Sequence, residues 1–181
     1  MNLMKQLLLK NGKVITIRKA RKTDARAILK YLNIIGGESD FLAFGRNEFD
    51  GSIVKIKTQI LQYQKAVNCL YLIACDAKGV MGVLRFTGGK GSRMRHTGGF
   101  GVSVAKKYWG MGIGKELTKT LIEWARATGI VRKINLRVRE DNTKAITLYQ
   151  KLGFSKEGSV TRDLLVQNKF YTNLMMGISI G

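Results

Sequence analysis

Glycines at 110, 112 and 114 alternate with Met111 and Ile113 in the run from Trp109 to Lys115 (WGMGIGK). With no Cβ at every second position, successive backbone amides can turn inward, and a helix starting here adds about half a positive charge. Such a turn holds a phosphate. Sterics alone would also place glycine in a tight strand-to-helix turn, so the spacing by itself leaves both readings open. A Walker A loop needs Gly at 109 and Ser or Thr at 116, where the chain has Trp109 and Glu116. The dinucleotide pattern G-x-G-x-x-G also fails, because the third glycine comes one residue early. Cys69 and Cys75 are the only two cysteines, and neither joins a Cys/His set with ligand spacing. Both are expected as buried thiols, and no metal is expected.

The elements that position this turn follow from periodicity. Val14 to Arg18 (VITIR) alternates as a half-buried strand does. Thr23 and Asp24 supply caps for a helix with Ala27, Ile28 and Leu32 on one face, stopped by Gly36 and Gly37. Residues 38–50 show no sustained period and read as an ordered loop or a broken helical turn. A helix after Asp50 or Ser52 would align Ile53, Ile56, Ile60 and Leu61. Leu70 to Asp76 and Val80 to Thr87 form a hairpin through Ala77, Lys78 and Gly79, and residues 88–95 make a glycine-rich basic turn. Strands are then expected at Gly99 to Val104, Ile134 to Val138, Phe154 to Val160 and Phe170 to Ile180, with helices at Gly112 to Thr128 and Asn142 to Leu152. The order β-α-α-β-β-β-α-β-α-β-β defines an α+β (mixed α/β) fold, a mixed sheet with helices on its faces. The strands flanking the third helix form a right-handed βαβ unit. With 181 residues, 45% hydrophobic, and no repeat or linker, residues 1–181 are expected as one domain. No proline is present, so the 21 glycines and the Asn and Asp residues must make the turns.

The segment from Val102 to Leu117 (VSVAKKYWGMGIGKEL), followed by Asn142 to Phe154 (NTKAITLYQKLGF), resembles the GNAT family of N-acetyltransferases. The family's acyl-CoA signature is Arg or Gln, two residues, Gly, one residue, Gly or Ala, and Gly112 and Gly114 fill its glycine positions. Its downstream signature N-x-x-A-x-x-L-Y-x-x-x-G-F is matched by Asn142, Ala145, Leu148, Tyr149, Gly153 and Phe154. The usual Arg or Gln is replaced by Trp109. A Tyr-Trp-Gly turn of this kind is similar to that of the ribosomal-protein alanine acetyltransferase branch and related bacterial members. The resemblance implies a central, mostly antiparallel twisted sheet with a splayed parallel pair and helices on both faces.

It also implies an enzyme that moves an acetyl group from acetyl-CoA, a co-substrate, to a primary amine of a small molecule or protein N-terminus, by direct attack in a ternary complex. Trp109, Gly110, Met111, Gly112, Ile113, Gly114 and Lys115 would cradle the diphosphate, largely through backbone amides. The amides of Val102 and Val104 would meet pantetheine or the thioester carbonyl. Tyr149 would act as general acid toward the departing sulfur, since a phenol stays protonated at neutral pH. Asn142 would cap its helix and meet the pantetheine arm. Many relatives carry a Glu in a His-x-Gly-Glu-x-Gly pattern, but His96 to Gly101 (HTGGFG) puts Gly99 there. His96, the only histidine, is then the candidate base, directly or through water.

In the family the stretch after the first helix lines the acceptor side. Glu38, Asp40, Glu48 and Asp50 lie there, a local negative patch that would attract an ammonium group, with Phe41, Phe44 and Phe49 to pack on its apolar part. Glu38, Asp40 and Phe41 are the expected acceptor-binding residues. The 32 Lys and Arg against 12 Asp and Glu give a formal charge of +20. Such a charge repels polycationic acceptors at long range and suits an acidic partner or the ribosome. A competing class is a nucleic-acid- or ribosome-binding module using Arg18 to Lys22, Lys90 to Arg95, Arg137 and Arg139, though helix-turn-helix, zinc-finger and RNP signals are absent. A third reading is a non-catalytic acyl-CoA-binding GNAT fold. No apolar run reaches the ~20 residues of a membrane span, and Met1 to Lys10 is too weakly apolar for a secretory signal, so a cytoplasmic protein without membrane partners is expected; a homodimer is compatible with the sequence.

Overall fold

The computed structural model describes residues 3–46 and 48–181. Among these, eight strands form one sheet: β1 (Lys5–Leu8), β2 (Val14–Lys19), β3 (Cys69–Asp76), β4 (Gly79–Gly88), β5 (Thr97–Val104), β6 (Lys133–Arg139), β7 (Ser155–Val166) and β8 (Lys169–Ser179). Four helices accompany them: α1 (Ala25–Ile35), α2 (Ile53–Lys65), α3 (Ile113–Thr128) and α4 (Thr143–Lys151). The strand order is β1-β2-β3-β4-β5-β6-β8-β7. All neighbours are antiparallel except β5 and β6.

The element order matches the expectation with one addition. β1 pairs antiparallel with β2, from Lys5 opposite Ile17 to Leu8 opposite Val14. Its four residues are too few to display a period, and it is held by Leu3 and Leu9, buried at either end. Met1 and Asn2 of the amino-terminal segment, and Asn47 of the 38–50 stretch, lie outside the described residues. The rest of that stretch is irregular, as expected.

Capping explains most boundaries. Ser52 Oγ accepts from the Lys55 amide at 3.1 Å to start α2. Asp24 differs from expectation: its carboxylate accepts from the Arg21 amide at 2.7 Å and pairs with Arg18, so it caps the short 3-10 turn before α1, and α1 has no side-chain cap. Leu61 also differs, being exposed, because it lies one helical step from the buried Ile56 and Ile60 face. Cys69 and Cys75 are half-buried free thiols, not fully buried ones.

Helices cover both faces of the sheet. Leu70, Leu72, Leu84, Phe86 and Phe100 pack with Leu117, Leu121 and Trp124 of α3 on one face. Tyr71, Ile73 and Val83 pack with Ile28, Tyr31, Ile56 and Ile60 of α1 and α2 on the other. Strands buried on both sides read as continuous apolar runs, which is how β3 and β4 look in the sequence.

The parallel pair is short. Thr97, Gly98 and Gly99 face Lys133, Ile134 and Asn135, and there the ladder ends. Beyond it β5 stays paired with β4 as far as Val104, while β6 stays paired with β8 as far as Arg139. The two strands therefore part into a wedge that opens toward the start of α3.

Candidate active site

Strand alternation fixes which backbone groups line the wedge. Ala105 donates its amide to Met81 of β4 at 2.9 Å, and the Thr97 carbonyl accepts from Gly89 at 2.8 Å, so odd-numbered residues of β5 turn their backbone groups toward β4. The amides and carbonyls of Phe100, Val102 and Val104 consequently point into the wedge. The indole of Trp109 donates to the Val104 carbonyl at 2.7 Å. Trp109 thus ties the glycine turn to the strand before it, a role for which a side chain at this position need carry no charge.

The turn itself is open. Gly110 (φ 75°) and Gly112 (φ 88°) occupy the left-handed region, where a side chain costs about 1–2 kcal/mol. A Cβ at either position would meet nothing within 4 Å, so the space before them is free. Gly112 is the N-cap of α3 and offers no capping side chain. Trp109 and Met111 donate their amides to Lys106 and Tyr108 within the turn, and the first α3 amide with a backbone acceptor is that of Glu116, bonded to Gly112 at 3.0 Å. Among the described residues, the amides of Gly110, Gly112, Ile113, Gly114 and Lys115 have no backbone acceptor. Five free donors at the positive end of a 16-residue helix fit a diphosphate. Lys106, Lys107 and Lys115 are exposed beside them. Gly82 on β4 sets the helix in place: a Cβ there would come within 3.2 Å of Ile113 and 3.3 Å of Leu117.

Asn142 caps α4 as expected, its side chain accepting from the Ala145 amide at 3.3 Å. Two turns on, the Tyr149 ring is buried edge-on against Phe100 (5.9 Å, 86°) and near Phe154 (5.8 Å). Phe100 is the first β5 residue past the last rung shared with β6, so Tyr149 stands where the wedge begins. Burial pushes its phenol up to about 12. His96 is not brought to this place. It is exposed and precedes Thr97, which lies three strand steps, ~10 Å, from Phe100 on the closed side of the wedge.

The acidic stretch is arranged differently from the expected open patch. Glu38 accepts from the Lys106 amide at 2.8 Å, Glu48 from the Gly45 amide at 2.7 Å, and Asp50 pairs with Lys55 at 2.9 Å. These carboxylates hold backbone and a neighbouring lysine. Asp40 contributes its carbonyl, which accepts from Arg139 at 2.9 Å, and the Phe41 ring lies 4.7 Å from the same guanidinium. Arg139 is 7% exposed, stacks on Tyr171 at 3.6 Å, and makes a two-pronged bond to Asp141 at 2.8 and 2.6 Å. Its hydrogen bonds, helped by its charge, hold the Asp141 carboxyl below the usual range. Arg139 therefore joins the loop after α1 to β8 and to the start of α4, and is no part of a free basic surface. Arg18 and Arg137, two more of the basic residues assigned to nucleic acid, pair with Asp24 and Asp163.

Sequence reasoning missed Arg139 as a hub, because its partners are 99, 32 and 2 residues away. It also missed Tyr31, which donates to Ser103 Oγ at 3.0 Å over the α1 face of β5. Among the described residues no group of three or more His, Cys, Asp or Glu is placed to hold a metal, and no helix is long and apolar enough to cross a membrane.

A wedge between parallel strands, a glycine turn at the next helix and a buried phenol at the wedge are what this fold brings together. The chain belongs to the acetyltransferase (GNAT) family, whose model matches residues 43–154. It is 32% identical to an acetyltransferase of the GNAT family from Streptococcus pneumoniae, covering 92% of this chain and 99% of that one with a TM-score of 0.88. It is 33% identical over 88 residues to the L-amino acid N-acetyltransferase AaaT of Escherichia coli (strain K12), 49% of this chain and 54% of that protein. It is 40% identical over 57 residues to the N-alpha-acetyltransferase RimI of Mycobacterium tuberculosis, 32% of this chain and 34% of that protein. The chain spans about half the length, or less, of the curated relatives it matches.

Proposed function

We propose that the protein transfers an acetyl group from acetyl-CoA to the primary amine of a small molecule or protein N-terminus, by direct attack in a ternary complex. The observation that carries this reading is the set of five unpaired amides from Gly110 to Lys115, placed beside the wedge that Val102, Val104 and Tyr149 line. Acetyl-CoA supplies an acetyl thioester, already activated toward an amine.

The free amides of the turn, with Lys106, Lys107 and Lys115 nearby, bind the diphosphate, and Asn142 meets the pantetheine arm. Val102 and Val104 direct backbone N–H groups into the wedge, where a carbonyl gathers negative charge as it is attacked. Tyr149 donates its hydroxyl proton toward the sulfur; with its phenol held near 12 it stays protonated through the range in which the acceptor amine loses its proton. Gly99 leaves no carboxylate on the acceptor side of β5, and His96 is remote. The amine therefore sheds its proton to solvent, and the rate rises with pH until the amine is neutral. Glu38, Asp40 and Phe41 border the acceptor side with the roles described above, shaping it through Lys106 and Arg139.

The test is calorimetric titration of coenzyme A, followed by thiol release from acetyl-CoA with a panel of amines and N-terminal peptides. Micromolar binding and amine-dependent release are expected. Absence of binding to folded protein removes the proposal.

A further inference from the structure

Gly99 and Gly101 make a bare floor on the α1 and α2 face of β5. A Cβ on Gly101 would meet nothing within 4 Å, and one on Gly99 only the Asn135 carbonyl at 3.8 Å. Register places Tyr71, Arg85 and Gly101 side by side across β3, β4 and β5. Arg85 therefore flanks the open floor, one strand spacing, ~4.8 Å, from the strand whose next residue, Val102, turns its amide into the wedge.

Three arginines among the described residues are not exposed: Arg18, Arg85 and Arg139. Arg18 lies 2.7 Å from Asp24, and Arg139 lies 2.6 Å from Asp141. Arg85 alone has no carboxylate within ion-pair distance among the described residues. One nitrogen donates to the neutral side chain of Gln59 at 3.0 Å, which orients the guanidinium and leaves most of its five donors unused. Its neighbour Tyr71 is buried with an unbonded hydroxyl, which burial raises to about 12 against the opposing pull of the Arg85 charge. A half-buried cation with no counter-charge is costly, and a planar carboxylate relieves that cost with two parallel bonds.

We infer that Arg85 receives the carboxylate of the acceptor, so that the substrates are short amino acids, primary amines with a carboxylate close by, and not polyamines. This rests on the acetyl-transfer reading, which gives the amine its destination. The bare strand at Gly99 and Gly101 is where the carbon joining the two groups crosses from Arg85 toward the wedge.

The inference is tested with alanine, leucine and phenylalanine, each against its carboxamide, and with spermidine. Binding is measured by calorimetry on the protein alone and with coenzyme A present, and turnover by thiol release. Charge-assisted bonds contribute about 1.5–3 kcal/mol, so at least one acid is expected to bind about tenfold or more tighter than its amide. Arg85→Gln should erase that ratio, weakening the acid while leaving the amide within about twofold; Arg85→Lys should restore part of it. The inference is overturned if no acid binds, if amides or spermidine bind as well as acids, or if Arg85→Gln weakens acid and amide alike. Failure of coenzyme A to bind brings down the acetyl-transfer reading instead, and the acid-to-amide ratio on the protein alone is read independently of it.

Discussion

The two sides of β5 are made of different materials. Toward α3 the elements proposed to bind coenzyme A are backbone: free amides at the turn, and amides of Val102 and Val104 turned into the wedge. Toward α1 and α2 the proposed acceptor side is shaped by side chains, Arg85, Tyr31, Glu38 and Arg139, held by partners far away in sequence. Backbone recognition needs only that certain residues lack a Cβ or adopt a positive φ, and it is indifferent to most other substitutions. Side-chain recognition can change with one residue. A molecule built this way keeps one ligand fixed and is free to vary the other.

Four substitutions sharpen that contrast, in decreasing order of effect. Tyr149→Phe removes the hydroxyl but keeps the ring against Phe100 and Phe154; kcat should fall about 10²–10⁴-fold with coenzyme A affinity unchanged, by steady-state kinetics and calorimetry. A smaller loss would show that the departing thiolate needs no acid. Arg139→Met cuts the bonds to the Asp40 carbonyl and to Asp141, and should lower stability by about 1–3 kcal/mol in urea unfolding and raise acceptor KM, with coenzyme A binding intact. If coenzyme A affinity falls in step, the two sides are not separate. Trp109→Phe loses the bond to the Val104 carbonyl, and a coenzyme A affinity reduced about fivefold, corresponding to about 1 kcal/mol, is expected by calorimetry. His96→Ala should leave kcat/KM within about twofold across pH 6–10, since the rise with pH belongs to the acceptor amine; a flattened profile would return the histidine to the mechanism.

The same contrast governs what could be read from sequence. The glycine turn and the α4 cap are local, and their spacing carried them; Tyr149 came from the match of Asn142 to Phe154 to the family's downstream signature. The helix and strand order was legible because β3 and β4 are apolar runs bounded by turn residues and α3 has clean helical periodicity. β1 was not, being four residues long. Nor was the full reach of β7: a register irregularity between Val160 and Leu164, with Arg162 at φ 54°, breaks the alternation, and the strand resumes as far as Val166 before a turn of Gln167 and Asn168 at φ 49° and 60°. Gln-Asn is a weak sequence signal for such a turn. The acidic stretch hid something else: Glu38 and Glu48 accept from the Lys106 and Gly45 amides, and Asp50 pairs with Lys55 at the surface. Composition cannot show whether a carboxylate is already engaged. For Arg85 a signal was present, a cation inside the apolar run of β4, and its significance emerged only once the other inward arginines had been matched to acids.

The seam between β5 and β6 is three rungs long, whereas the ladders on either side run for seven. The sheet is thus two long ladders joined along a narrow strip, with one apolar core running beneath both, from Leu72 and Phe86 through Phe100 to Ile134 and Tyr149. Tyr149 of α4 packs on Phe100 of β5 one residue past that strip, so side chains take over the joining of the two ladders where their backbone bonds run out.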